Sequence, residues 1–170
     1  MNRKQLIEEV TAIVGKHNVL HDRASLALYE YDASLFQGRP DVVAFPANTQ
    51  HVAQLVKLAD RERIPFLARG AGTNLSGGTA PTKGGIIIDL CRMRRILDID
   101  IDNQTALVEP GVYNLALQNA LAPLGYYYAP DPASQKVSTM GGNVGENSGG
   151  PHCLKYGVTT NHVYGLEVVL

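Results

Sequence analysis

Pro65-Phe66-Leu67-Ala68-Arg69-Gly70-Ala71-Gly72-Thr73-Asn74-Leu75-Ser76-Gly77-Gly78 runs a short apolar strand signal straight into a glycine loop. Residues 69–78 hold four glycines in ten, and glycine loses more chain entropy on ordering than any other residue. Close approach of backbone N–H groups to a ligand, an anion above all, offsets that cost. A second such stretch follows at Met140-Gly141-Gly142-Asn143-Val144-Gly145-Glu146-Asn147-Ser148-Gly149-Gly150. Fifteen of the 17 glycines lie at or beyond Gly70, which places the ligand chemistry in the second half of the chain.

Upstream of the first loop, Val42-Val43-Ala44-Phe45-Pro46 reads as a buried strand closed by proline. Asn48 or Thr49 then caps a helix in which Val52, Leu55, Val56 and Ala59 follow the i, i+3, i+4, i+7 spacing. Strand, helix and strand 65–68 make a βαβ unit, which dictates a right-handed crossover in a parallel sheet. Leu6, Val10, Ile13 and Val14 predict a helix over residues 2–15. Downstream, Ile86-Ile87-Ile88-Asp89-Leu90 is another buried strand. Leu97, Ile99 and Ile101 alternate with Asp98, Asp100 and Asp102, predicting a strand with one acidic face. Asp102-Asn103 turns it back into a partner strand over 105–109. Leu115, Leu117, Leu121 and Leu124 place a helix near 113–123, stopped at Pro123 and Gly125. Residues 126–160 read as loops, and 162–170 as a strand whose apolar end suggests a piece of a longer chain. The expected organisation is a helical segment 1–40, a first βαβ lobe 41–80 and a second, incomplete α/β lobe 81–170.

The first loop fits neither familiar phosphate template. A Walker loop needs a lysine where Gly78 stands, and a dinucleotide fingerprint needs glycine at Leu75 with a helix behind it. What remains is a strand feeding a helix-free nest of N–H donors, joined by the side chains of Thr73, Asn74 and Ser76. The alternative is a tight surface turn with no ligand. A second glycine stretch, with Pro130-Asp131-Pro132-Ala133-Ser134 between the two, weighs against that.

Composition narrows the partners. A net charge of −1 leaves no basic footprint for nucleic acid or an anionic membrane. No apolar run is long enough to span a bilayer. Two cysteines, Cys91 and Cys153, make no disulfide framework and fit a reducing cytoplasm.

Taken in order, Arg69-Gly70-Ala71-Gly72-Thr73-Asn74, Pro130-Asp131-Pro132-Ala133-Ser134, Gly141-Gly142-Asn143, Lys155-Tyr156-Gly157 and Gly165-Leu166-Glu167-Val168-Val169 resemble the FAD-binding domain of the vanillyl-alcohol-oxidase type. Within it they look like the FAD-linked glycolate oxidase subunits and D-2-hydroxyacid dehydrogenases. The resemblance covers nearly the whole chain and implies an α+β fold of two small α/β lobes with FAD between them, the second lobe truncated. It implies that Arg69, Gly70, Ala71, Gly72, Thr73 and Asn74, with Gly77 and Gly78, hold the pyrophosphate. Pro130, Asp131, Ser134, Thr139, Gly141, Gly142, Asn143 and Asn147 would line the ribityl and isoalloxazine portions, with Val163 and the final strand beside the adenine. Some relatives link flavin covalently through a histidine in the first loop. Thr73 stands in that place here, so FAD is expected to be non-covalent, and Cys153 comes too late in the order to supply the link.

The implied chemistry is oxidation of glycolate or a related small 2-hydroxy acid by hydride transfer to flavin. Implied partners are other oxidase subunits, an iron–sulfur electron-transfer subunit among them, in the cytoplasm or held by partners at the inner face of a membrane. Family members are far longer, and their second half caps the substrate. The catalytic residues are therefore expected outside this sequence, and the piece alone is expected to be inactive. The competing readings are a non-catalytic remnant that binds FAD or a partner, and a different flavoenzyme such as a reductase of a sugar-nucleotide intermediate.

Other signals carry less. Asp98, Asp100, Asp102 and Glu109 have calcium-loop spacing, but Ile99 and Ile101 make an apolar alternation and no helices flank the segment. His152-Cys153 lacks a second ligand pair, and no metal site is expected. Arg92, Arg94 and Arg95 read as a solvated edge that could also meet an electron-transfer partner.

Overall fold

Asn2 and Gln5 close a capping box at the chain's start, each side chain bonding the other's backbone N–H at 3.0 and 3.1 Å. This begins α1 (Arg3–Val14) and supplies acceptors for amides that the helix leaves open. α1 buries Leu6, Val10 and Val14, as their spacing dictates. The computed structural model describes residues 1–170. They divide into one unit of Met1–Arg92 with Val168–Leu170 and another of Met93–Glu167.

The first unit is built on a four-stranded sheet in the order β1-β2-β4-β3, with β1 (Val19–Leu20), β2 (Val42–Ala44), β3 (Phe66–Arg69) and β4 (Ile86–Asp89). β1 pairs antiparallel with β2, while β4 runs parallel to both its neighbours. β2 and β4 are buried along their whole length, as central parallel strands must be. Their alternating side chains feed two cores. Val42, Ala44, Ile86 and Ile88 meet α1 and Leu55, Leu58 and Ala59 of α3 (Thr49–Glu62). Val43 and Ile87 meet Leu26 of α2 (Arg23–Ala27). Each buried Val, Leu or Ile side chain contributes about 1.5–3 kcal/mol by leaving water, so stability concentrates at the sheet's centre. Asn48 caps α3 through the His51 amide at 2.9 Å.

β2, α3 and β3 form the expected crossover, but β2 and β3 do not touch, because β4 lies between them. The chain therefore leaves β3, passes through residues 70–85 and re-enters the sheet beside it. Gly85 makes that return feasible. It has φ +85°, and a Cβ there would fall 2.7 Å from the Pro65 carbonyl carbon and closer still to its oxygen. Asp41 clasps the same residue, its carboxylate accepting from the Gly85 amide at 2.9 Å while its own amide donates to the Gly85 carbonyl at 2.8 Å.

This pairing corrects the expected domain limits. The glycine- and proline-rich stretch 76–85 has a linker's composition, yet β4 beyond it is the sheet's central strand. Nor are residues 1–40 a segment apart, since β1 extends the sheet and α1 covers it.

The second unit contains the hairpin β5 (Ile96–Asp100) and β6 (Thr105–Val108), then α4 (Asn114–Leu121), α5 (Met140–Gly145) and α6 (Cys153–Tyr156). Its core is Val112, Leu117 and Met140, with Ile96, Val108, Leu121 and Tyr128 packed around them. The simple alternation expected of β5 is broken. The register shifts between Ile96 and Asp98, leaving Leu97 unopposed and exposed, so the inward apolar side begins at Ile96. Two further expectations fail. Part of the second glycine stretch is the helix α5 rather than loop, and 163–170 forms no strand.

Candidate functional site

In the first unit the glycine loop starts one residue later than its composition suggests, because β3 includes Arg69. Arg69 is buried, and its guanidinium donates to the carbonyls of Tyr31 at 2.9 Å and Thr79 at 3.1 Å. It also lies 5.2 Å from the centre of the Tyr29 ring. Asp89 pairs with Arg69 across the β3–β4 ladder, and burial pushes its carboxyl up. Burial, with the Asp89 charge second, takes the Tyr29 hydroxyl up to about 12. The floor of the loop is thus a closed polar cluster, and Arg69 belongs to the scaffold.

Above that floor the amides of Gly70, Ala71, Gly72 and Thr73 donate to no other group of the chain. Gly72 has φ +67°, and a Cβ there would press on the Arg69 guanidinium. The residue type is therefore set by the backbone's closeness to its own floor. Asn74 is engaged within the loop. Its Nδ2 donates to Asp32 at 2.9 Å and to Ser76 Oγ at 3.1 Å, and its Oδ1 accepts from the Thr79 hydroxyl at 2.9 Å. That side chain shapes the loop from within. Gly77 accepts from the Ala80 amide, and the Gly78 amide donates to Ser76 Oγ at 3.3 Å. A run of four donors without acceptors, backed by a fixed floor, fits an anion such as a diphosphate.

Asp32 is the residue that the sequence reading missed. It is 7% exposed and receives the Ser34 amide at 2.9 Å, Asn74 Nδ2 at 2.9 Å and the Thr79 amide at 3.3 Å. Burial works to raise its carboxyl, but the donors from Ser34, Asn74 and Thr79 outweigh that and hold it at about 2. No local motif announces it, because its loop partners lie more than 40 residues away.

In the second unit, Thr139 caps α5, its Oγ1 accepting from the Gly142 amide at 3.3 Å and its carbonyl from Asn143 at 2.8 Å. The Met140 and Gly141 amides are held by the carbonyls of Val112 and Pro110 at 2.8 Å each. Several residues expected to contact the flavin are hydrogen-bonded within the unit. The Pro130 carbonyl accepts from buried Asn114 at 3.0 Å, and the Ser134 carbonyl accepts from Val137 and Ser138. Asp131 takes the His152 amide at 3.1 Å and meets His152 Nδ1 at 2.7 Å. Asn147 accepts from the Thr160 amide and hydroxyl at 3.0 and 2.7 Å. Val163 directly follows the 3₁₀ turn Thr159–His162.

Asn143 stands apart. It is 2% exposed, and its Nδ2 has no acceptor within the chain. Ser138 Oγ and Asn114 Oδ1 are likewise buried without partners. A buried polar group left unpaired costs about 1–3 kcal/mol.

Residues 40–170 match the family described as FAD binding domain. The chain belongs to this family. It is 44% identical over 171 residues to glycolate oxidase subunit GlcD of Bacillus subtilis (strain 168), covering 100% of this chain and 36% of that protein. It is 34% identical over 167 residues to a D-lactate dehydrogenase of Anaerostipes hadrus, covering 98% of this chain and 35% of the relative. Among solved structures, 4-ethylphenol oxidase from Gulosibacter chungangensis superposes with a TM-score of 0.74 at 30% identity, covering 85% of this chain and 29% of the other. An alkyldihydroxyacetonephosphate synthase gives 0.84 at 24% identity, over 95% of this chain and 32% of the other, a likeness of fold. The resemblance read from the glycine loops and their companions is borne out, as is the α+β fold. FAD is the cofactor that the family binds. The chain spans about a third of the length of the curated relatives it matches. No helix is long and apolar enough to cross a membrane.

Proposed function

We propose that this chain is the FAD-binding portion of a flavin-dependent dehydrogenase that oxidises glycolate or a related small 2-hydroxy acid. The observation that carries the reading is the run of unpartnered amides at 70–73, in a chain 44% identical over its whole length to a glycolate oxidase subunit. When bound, the flavin supplies the hydride acceptor, and the protein supplies position and electrostatics. The amides of Gly70, Ala71, Gly72 and Thr73 stabilise the diphosphate by hydrogen bonds to charged oxygens, each stronger than a neutral pair. In the second unit the Asn143 amide is a fixed donor to the cofactor, and the Thr139 cap with the Pro110 and Val112 carbonyls holds α5 in place for it. Thr73 offers no imidazole, which supports non-covalent attachment. The relatives named as subunits support transfer of electrons onward to a second polypeptide.

The test is flavin analysis. The full-length protein purifies yellow, and heat or acid releases its flavin as free FAD. It reduces an artificial dye with glycolate or D-lactate, while residues 1–170 alone do not. Flavin that stays with the denatured polypeptide would overturn the non-covalent reading. Dye reduction by residues 1–170 alone would overturn the assignment of catalysis to the rest of the protein.

A further inference from the structure

We propose that Asp32 is the positioning residue of the diphosphate loop, holding the run 70–73 in its binding shape from behind. The proposal rests on the FAD reading for its ligand and on the first unit's geometry for its mechanism.

The amide run is anchored at one end by β3, where Arg69 is paired in the ladder and buried. Its other end is Asn74, and what fixes Asn74 is Asp32 Oδ2 at 2.9 Å. The same oxygen accepts from the Thr79 amide at 3.3 Å, so one carboxylate closes the base of the 74–79 turn. Thr79 is gripped again through its carbonyl by Arg69 at 3.1 Å, and through its hydroxyl by Asn74 Oδ1 at 2.9 Å. Asp32 itself is tied to its own segment by the Ser34 amide at 2.9 Å. Every group around it donates, and only an acceptor-only side chain satisfies them all. An amide in its place would turn an NH₂ toward the Asn74 NH₂ and the Thr79 N–H or, flipped, toward the Ser34 N–H.

Asp32 thus brings negative charge beneath a loop read as an anion site. As a mere local charge it would weaken the ligand's binding. As an organiser it strengthens binding, because the amide run is ordered before the ligand arrives and binding need not supply that ordering. The two roles predict opposite signs.

The experiment measures FAD affinity of the flavin-stripped full-length protein by fluorescence quenching, with hydrogen exchange over 70–79 followed alongside. Asp32→Asn weakens FAD by about ten- to a hundredfold, the range for a lost hydrogen bond to a charged group. It also speeds exchange at 70–79 while leaving β2, α3 and β4 protected. Asn74→Ala removes the loop's side of the contact and gives the same pattern, which covers the case of Asp32→Asn failing to fold. The double variant Asp32→Asn/Asn74→Asp reverses the polarity of the pair, the introduced amide now donating to the introduced carboxylate, and recovers part of the affinity, the Thr79 N–H being left without its acceptor. Unchanged or tighter FAD binding in both single variants, or no recovery in the double variant, overturns the proposal. If the unaltered protein takes up no FAD, the FAD reading falls by itself. The exchange pattern then decides alone: faster exchange at 70–79 in the single variants upholds Asp32 as the loop's organiser, and unchanged exchange overturns it.

Discussion

Gly84 and Gly85 are adjacent, both have positive φ (+71° and +85°), and alanine at each has a different cost. At Gly84 the nearest atoms to an added Cβ are the Asp41 carboxylate at 3.4 Å and the Arg39 carbonyl at 3.5 Å, which is ordinary contact. Gly84→Ala therefore meets only the left-handed backbone penalty, about 1–2 kcal/mol. At Gly85 the Cβ overlaps the Pro65 carbonyl, which accepts the Ile86 amide at 2.9 Å where β3 and β4 begin to pair. To the same penalty Gly85→Ala adds about 1 kcal/mol for that hydrogen bond and about 1–3 kcal/mol for displaced backbone, roughly 3–6 kcal/mol in all. At about 2–4 °C per kcal/mol for a chain of this size, the melting temperature falls by roughly 5 °C for Gly84→Ala and roughly 10–20 °C for Gly85→Ala. Circular dichroism melts of the two variants, run side by side, check this. Equal shifts would refute the reasoning, because positive φ would then be the whole constraint and the approach of Pro65 irrelevant.

Acid should separate the protein from its Asp32→Asn variant. A carboxyl lowered from 3.8 to about 2 contributes about 2 kcal/mol. Because the folded value is the lower one, that stability is present above about pH 4 and disappears as pH falls through about 2; a urea titration whose gap between the two proteins stays constant down to pH 2 would contradict it. Asn143→Ala removes a buried donor that has no acceptor in the chain, so it changes the melting temperature of the flavin-free protein little while lowering FAD affinity by about tenfold. Destabilisation of the flavin-free form without loss of affinity would show that the amide serves packing alone.

Local signals made most of the first unit readable. α1 and α3 declare themselves by apolar spacing, and α3 also by Asn48 at its start, a cap made as the residue type suggests. β2 and β4 are apolar runs too short for helices and are buried throughout. The glycine loop was legible as a nest because its donors belong to consecutive residues. What escaped was whatever depends on a distant partner. Asp32 has meaning only once Asn74 and Thr79 reach it. α5 is a helix containing three glycines (Gly141, Gly142 and Gly145) that intrinsic preference argues against. It is held by the Thr139 cap and by carbonyls of residues 110 and 112, none of which leaves a periodic trace. Leu97 looked inward by alternation, and one bulged residue in β5 turned it out.

The placement of β4 between β2 and β3 also sets an order of events. Neither flanking strand has a parallel neighbour until Ile86–Asp89 arrives, and pairings that span so much chain are slow to form. During synthesis, the glycine loop is complete before the strand that closes its far end has left the ribosome. Its start at Arg69 waits for the ladder with Ile86–Asp89, and is fixed only together with the sheet. A nascent chain stalled before Ile86 would carry every amide of residues 70–73 without the strand pairing that anchors them.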